Sequence, residues 1–237
     1  MRILSLPLAL LVASCASAPA PDPARTLLTQ MRAACGGDAW DSVDGWHETG
    51  TADLPGMPGV AYETWHDIKT LKSATVNRVN GQVTRRVGFD GASYWRASGA
   101  GPAEVGRDPE RLRRQRRDAY ISSFAFFFPD RFPAAFEYLG SRTYEGRSYQ
   151  VLEATPADSE SVEIWVDPKT HRVARFVAEG EYADLSDYET FDVGICSATT
   201  GRQSDGDPAH DLVLHVVTVE TGPVPASIFA PPAVATE

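Results

Sequence analysis

The spacing of apolar residues divides the chain into four stretches. Leu27, Leu28, Met31 and Ala34 recur at helical spacing behind Asp22-Pro23, an N-cap followed by a residue suited to the first helical turn. Gly36-Gly37 stops that run. From about Trp46 to Ala97 the period falls to two, with Val60, Tyr62 and Thr64 alternating against Ala61, Glu63 and Trp65. Asn80-Gly81 and Asp90-Gly91 supply tight turns, so this stretch predicts an antiparallel meander. Asp108-Pro109 then opens a second helix through "PERLRRQRRDAYISSFAF". Leu112, Ala119, Tyr120, Ser123, Phe124 and Phe127 share its apolar stripe, Arg113, Arg114 and Arg117 point elsewhere, and Pro129 and Pro133 end it. Strand patterns return in "YEGRSYQVLEAT", "SVEIWV", "HRVARFVAEG", "SDYETFDV" and "DLVLHVVTVETG". Helix, meander, helix, meander predicts an α+β fold with helices laid on one face of a curved antiparallel sheet.

The N-terminus breaks this pattern. "MRILSLPLALLVASC" carries one Arg, then an apolar run of about a dozen residues, too short for the ~20 that span a bilayer. Its flanks read as a secretory signal over residues 1–14. Val12-Ala13-Ser14-Cys15 is similar to a bacterial lipobox, in which Cys15 becomes the acylated first residue; Ala16-Ser17-Ala18 offers a plain A-x-A cleavage site instead. Residues 15–24 then form a lipidated Cys and an Ala/Pro tether, followed by a single domain over 25–232. With Cys15 lipidated, Cys35 and Cys196 remain, either as one disulfide from the N-terminal helix to a late strand or as two separate buried thiols.

Composition narrows the functions. A formal net charge of −10 argues against nucleic acid as a partner and suits a dispersed, monomeric protein. With 43% hydrophobic residues the chain can build a real core. The one basic cluster, "RLRRQRRD", reads as a solvated helix face or as a contact for anionic headgroups. No G-x-S-x-G, P-loop or H-E-x-x-H occurs, and His210 and His215 beside Asp205, Asp207 and Asp211 sit in turn composition, so no catalytic residue, metal or cofactor is expected. A hydrolase is the least favoured class.

One repeat tests that conclusion. "ETWHDIKT" (63–70) and "EIWVDPKT" (163–170) agree at Glu, Trp, Asp, Lys and Thr. Within a copy the two carboxylates lie about 13 Å apart along a strand, too far for the ~5–9.5 Å of a glycosidase pair. Copies on neighbouring strands would bring them closer. Strand followed by an Asp-initiated turn explains the repeat without chemistry, with Ile68 giving a looser turn than Pro168. "FAFFFPDRF" (124–132) is either core beneath the sheet or a pocket lining through Phe124, Phe127 and Phe128. Trp65, Trp95 and Trp165 either line a cavity or plug the barrel end.

The strand ending in "WVDPKTHRVAR" resembles the Trp-hydrophobic-Asp-Pro-x-Thr hairpin of the LolA/LolB-type lipoprotein carrier superfamily. "GGDAWDSVDGW", "SSFAFFFPDRF", "YEGRSYQVLEATP", "SDYETFDVG" and "SIFAPP" resemble, in order, the LolA-like modules that precede retropepsin-like aspartic proteases; the protease Asp-Thr-Gly itself is absent. The chain departs from that pattern at Gly194-Ile195-Cys196-Ser197-Ala198. The resemblance implies an incomplete β-barrel with helices packed on its inner face and an apolar ligand, a lipid or lipoprotein acyl chain, contacting Trp65, Trp95, Phe124, Phe127, Phe128 and Trp165. The alternative is an envelope lipoprotein with a filled core that meets a protein partner. Ala16, which is not the Asp of inner-membrane retention, implies lipid anchoring at the outer membrane, facing the periplasm.

Overall fold

Asp22 caps the first helix as its sequence demands, its carboxylate accepting the Ala24 N–H at 2.9 Å. The computed structural model describes residues 21–232. The expected signal segment, Cys15 and the tether as far as residue 20 lie outside the described residues. Helix α1 runs Pro23–Ala34 and buries Ala24, Leu27, Leu28 and Met31, the face that its spacing marks. A 3-10 turn, Gly37–Ser42, follows and sinks Trp40 into the core.

The next six strands are β1 (Gly45–Leu54), β2 (Met57–Asp67), β3 (Ser73–Val79), β4 (Gln82–Phe89), β5 (Tyr94–Ser98) and β6 (Glu104–Gly106). Helix α2, Pro109–Ser122, separates them from β7 (Ala134–Tyr144), β8 (Arg147–Pro156), β9 (Val162–Val166), β10 (Val173–Ala178), β11 (Glu181–Thr190), β12 (Cys196–Ser204) and β13 (Leu212–Thr221). All thirteen form one sheet in the order β6-β5-β4-β3-β2-β1-β13-β12-β11-β10-β9-β8-β7, every pairing antiparallel. Two meanders are thus zipped together at β1 and β13. The sheet does not close: β6 and β7 are its free edges. The fold is α+β, an incomplete barrel with α1, α2 and the 3-10 turn at Ala125–Phe127 on its inner face.

The crossing from β6 to β7 takes the chain from one edge to the other, and this explains its composition. Leu112 and Ala119 of α2 pack on Phe89, while Tyr120, Ala125, Phe126, Phe127 and Phe128 join α1 and the inward residues Leu152, Ala154, Ile164 and Val166. Helix α2 stops at Ser122, short of the Phe run that the sequence pattern includes in it. Phe124 takes a left-handed conformation, φ 51°, which turns the chain. A continued helix would spread these rings around its axis; the turn sends them to one side.

Arg117 also departs from its expected place on a solvated face. It is 7% exposed and its guanidinium meets Asp118, Glu160 and Glu179, tying α2 to the loops before β9 and before β11.

The duplicated octapeptide is one turn used twice. Asp67 accepts the N–H groups of Lys69 (2.8 Å) and Thr70 (3.1 Å), and Asp167 those of Lys169 (2.8 Å) and Thr170 (3.0 Å). The first turn is no looser than the second, because the Asp side chain makes the turn and the residue after it does not. Ile68 uses its freedom from proline to bury its side chain completely in the core. The two copies are not neighbours. Strands β2 and β9 are six strand steps apart in the sheet, roughly 29 Å at ~4.8 Å per step, so no carboxylate pair forms across them.

Candidate functional site

The axis of the half-barrel is filled with aromatic rings. Trp40 stacks on Trp46 with centroids 6.1 Å apart and planes at 9°. Phe124 lies 4.8 Å from Trp40 and 5.7 Å from Trp46, and Phe127 lies 5.4 Å from Trp40. Phe126 meets Phe127 edge-on at 4.7 Å. Trp40 and Trp46, drawn inward by the turn after α1 and by the alternation of β1, were not among the candidate ligand contacts. Their signal was present in "GGDAWDSVDGW", where Trp46 begins the period-two run.

Space remains at the open edge. A groove of about 730 Å³ runs between α1 and the start of β7. Leu28, Phe126, Phe127, Pro133 and Phe136 give it an apolar floor. Arg25, Thr29, Asp38 and Asp130 stand on its rim, and Ala33 faces it from an exposed position on α1. Arg32 braces one wall: it donates to the carbonyls of Gly37 (3.1 Å) and Phe127 (3.3 Å) and meets Asp41 at 2.7 Å.

The six candidate ligand contacts do not converge on this groove. Phe127 lines it, and Phe128 lines an adjoining recess with Arg131. Phe124 is locked among Trp40, Trp46 and Phe126. The three Trp residues sit on the convex face. Alternation places Trp65 with Glu63, opposite to the buried Val60, Tyr62 and Thr64. There Trp65 stacks on His47 at 4.8 Å and 1°. Trp165 likewise stands on the outward side of β9, its indole N–H donating to Glu163 at 2.9 Å. Trp95 is 4% exposed because the C-terminal segment straps over it, its Nε1 donating to the Phe229 carbonyl at 2.8 Å. Gly88 on the neighbouring strand lets that indole lie flat, since a Cβ there would strike the ring. The closing "SIFAPP" thus covers the outer face and does not line a cavity.

Cys35 and Cys196 are both buried, with Sγ atoms 2.7 Å apart and both thiols free. The N–H of Cys196 also donates to the Cys35 carbonyl at 3.1 Å, so backbone and side chains tie the end of α1 to the start of β12. The Cys35 thiol hydrogen bond and then, against burial, the Arg172 charge lower the Cys196 pKa, while the same thiol contact and burial push that of Cys35 up.

The inner wall of β1 and β2 carries a polar stripe. Trp46 Nε1 donates to Glu48 at 2.9 Å, and burial raises the Glu48 carboxyl above its ordinary range. Burial, then the nearby Glu48 charge, pushes Tyr62 up. His66, opposite Trp46 and Ser73 in register, is 7% exposed, and burial lowers its pKa to about 4. The unfolded chain therefore binds a proton at His66 between pH 6.5 and 4 that the folded chain refuses. Stability contributed by neutral His66 is full above pH 6.5 and falls as pH drops toward 4, by at most about 3 kcal/mol at ~1.4 kcal/mol per unit. Urea melts at pH 7 and 4.5 check this: the acid-induced loss is expected to shrink by about 2–3 kcal/mol in His66→Gln. An equal loss in both proteins contradicts it.

No family model matches the chain, and no curated protein matches it by sequence. Solved structures do match. A LolA superfamily protein from Nitrosomonas europaea superposes with a TM-score of 0.58 at 15% identity, covering 87% of this chain and 97% of that one. Its fold is LolA-like. A DUF1329 family protein from Desulfovibrio piger ATCC 29098 gives 0.57 at 14% identity, over 85% of this chain and 94% of that one. The LolA-like fold of this chain thus spans both meanders and the crossing between them. Among the described residues, no group of three or more His, Cys, Asp or Glu is placed to hold a metal ion, and no helix is long and apolar enough to cross a membrane.

Proposed function

We propose that this LolA-like protein is an exported, lipid-anchored envelope protein that binds a single acyl chain along the groove between α1 and β7. The observation that carries the reading is the groove itself. Its volume of about 730 Å³ falls within the ~300–1,000 Å³ of small-ligand sites, its floor is apolar, and its charges stand on the rim. The N-terminal signal pattern and Cys15 support export and anchoring. With the aromatic core occupying the axis, the chain would lie at the open edge of the half-barrel. This is a binding role, with no chemical step assigned to any residue.

Ala33→Trp tests it, because Ala33 is exposed, helical and faces the groove, so an indole there fills the site without touching the core. A fluorescent fatty acid is expected to bind the full chain and to bind the variant at least about tenfold more weakly, a loss of ~1.4 kcal/mol. Native mass spectrometry of the delipidated protein reports any carried lipid. Equal binding by both proteins refutes the groove. The filled axis favours a second reading, an interaction lipoprotein that meets a protein partner through its surface; absence of any lipid or probe binding selects it.

A further inference from the structure

A second pocket, of about 280 Å³, lies between α2 and the inner face of β2–β4, away from the α1–β7 groove. Its floor is set by strand register. His66 stands opposite Ser73, Thr75 opposite Val87, and Arg85 follows on the same face. Its roof is one face of α2, where Arg111, Gln115, Asp118, Ala119 and Ser122 recur at helical spacing. Polar and apolar atoms line it in about equal measure, and Ser73, Thr75, Tyr94 and Ser122 bring hydroxyls to it.

Three observations point to a ligand. The first is charge. Among the described residues neither Arg85 nor Arg111 forms an ion pair; the Arg111 guanidinium only stacks 4.1 Å over the Tyr94 ring. The carboxylate in the pocket, Asp118, is already engaged by Arg117 at 3.0 Å. Two uncommitted guanidinium groups thus converge in a chain whose net charge is −10. The second is His66, which lines the pocket, is 7% exposed and whose Nδ1 is shielded from solvent and has no hydrogen-bond partner among the described residues. Leaving such an atom unpaired is costly, and a ligand oxygen would pair it. The third is shape. The volume suits a compact polar group and is too small for the extended chain that the α1–β7 groove accommodates.

We propose that this pocket is an anion site for a phosphoryl group, with Arg85 and Arg111 as its charged donors and His66 Nδ1–H, Ser73 and Ser122 as its neutral ones. Planar guanidinium forks match phosphoryl oxygens in pairs. Neutral His66, as the tautomer protonated on Nδ1, donates without adding charge. The site is independent of the acyl-chain reading: it stands or falls on its own residues.

Calorimetric titration of the full chain with three probes tests it: inorganic phosphate, dihexanoyl phosphatidic acid below its micellar concentration, and dihexanoyl phosphatidylcholine. Phosphate binding identifies a free anion; binding of phosphatidic acid alone identifies a lipid headgroup; either supports the site, with the zwitterionic lipid bound more weakly. Arg85→Gln and Arg111→Gln are each expected to weaken binding about tenfold, as loss of a charged hydrogen bond does. Neither Arg carries an ion pair, so both variants should melt with the parent. Should one fail to fold, the imidazole signals of His66 in the parent protein keep the test open: they are expected to shift on phosphate addition. No binding of phosphate or phosphatidic acid, undiminished binding in Arg85→Gln/Arg111→Gln, or loss of binding in Ala33→Trp overturns the proposal.

Discussion

Reduction of the oxidised protein is expected to lower its unfolding free energy by about 5 kcal/mol. Cys35 and Cys196 are 161 residues apart in sequence and 2.7 Å apart at sulfur, inside the core. A bond between them closes a loop of most of the domain, and the chain-entropy cost removed from the unfolded state grows with the logarithm of that loop. Forming it takes one electron and one proton from each thiol. Oxidised glutathione accepts them in vitro, and a thiol–disulfide oxidoreductase would do so in an oxidising compartment. Cys196, whose acidity is raised by the Cys35 contact and Arg172, is the sulfur that attacks. Urea denaturation with and without dithiothreitol measures the effect, with Cys35→Ser as the variant that ignores the reductant. Two titratable thiols after oxidation, or superimposable curves, refute the bond.

Trp40→Ala is expected to cost about 3–5 kcal/mol. The side chain is wholly buried, and its loss would open a cavity bounded by Trp46 of β1 and by Phe124 and Phe127 of the turn after α2, rings held by their own packing that cannot all collapse inward. The hydrogen bond contributes less. Trp40 Nε1 donates to the Cys35 carbonyl at 2.8 Å, but that carbonyl also accepts from Cys196 and keeps a partner when the indole goes. Trp40→Phe, which retains most of the burial, should therefore cost well under half as much. The check is the shift in denaturant midpoint at unchanged slope. A loss below about 1 kcal/mol for Trp40→Ala contradicts a tightly packed axis.

The strands were readable because their signals are local. Asn80-Gly81 and Asp90-Gly91 turn the chain where they stand, and Val60, Tyr62 and Thr64 alternate onto the buried face. Pairing across the seam of β1 and β13 is invisible in either strand alone, since nothing in "GWHETGTADL" names a partner at the other end of the chain. The site was less legible for a related reason. Trp65, Trp95 and Trp165 are large and apolar, yet the face that each occupies depends on what covers the convex side. For Trp95 that cover is the C-terminal strap, and for Trp165 it is Tyr149 and Arg142. His66 lies inside the repeated octapeptide but at a position where the copies differ, with Val166 in the second: one imidazole in an alternating strand means little until α2 is laid above it. Arg117 looked like any member of a basic run, and only its carboxylate neighbours from distant loops bury it.

The seam has a consequence for biogenesis. Strand β1 emerges early, but its second neighbour is the last strand made. High contact order of this kind slows folding, because the entropy of closing so long a loop precedes any reward from pairing. Until β13 arrives, the middle of the sheet is a bare edge, open to pairing with any other extended chain. A chain made from its N-terminus spends that interval as two unjoined ribbons, so a holding chaperone is expected to raise its folding yield.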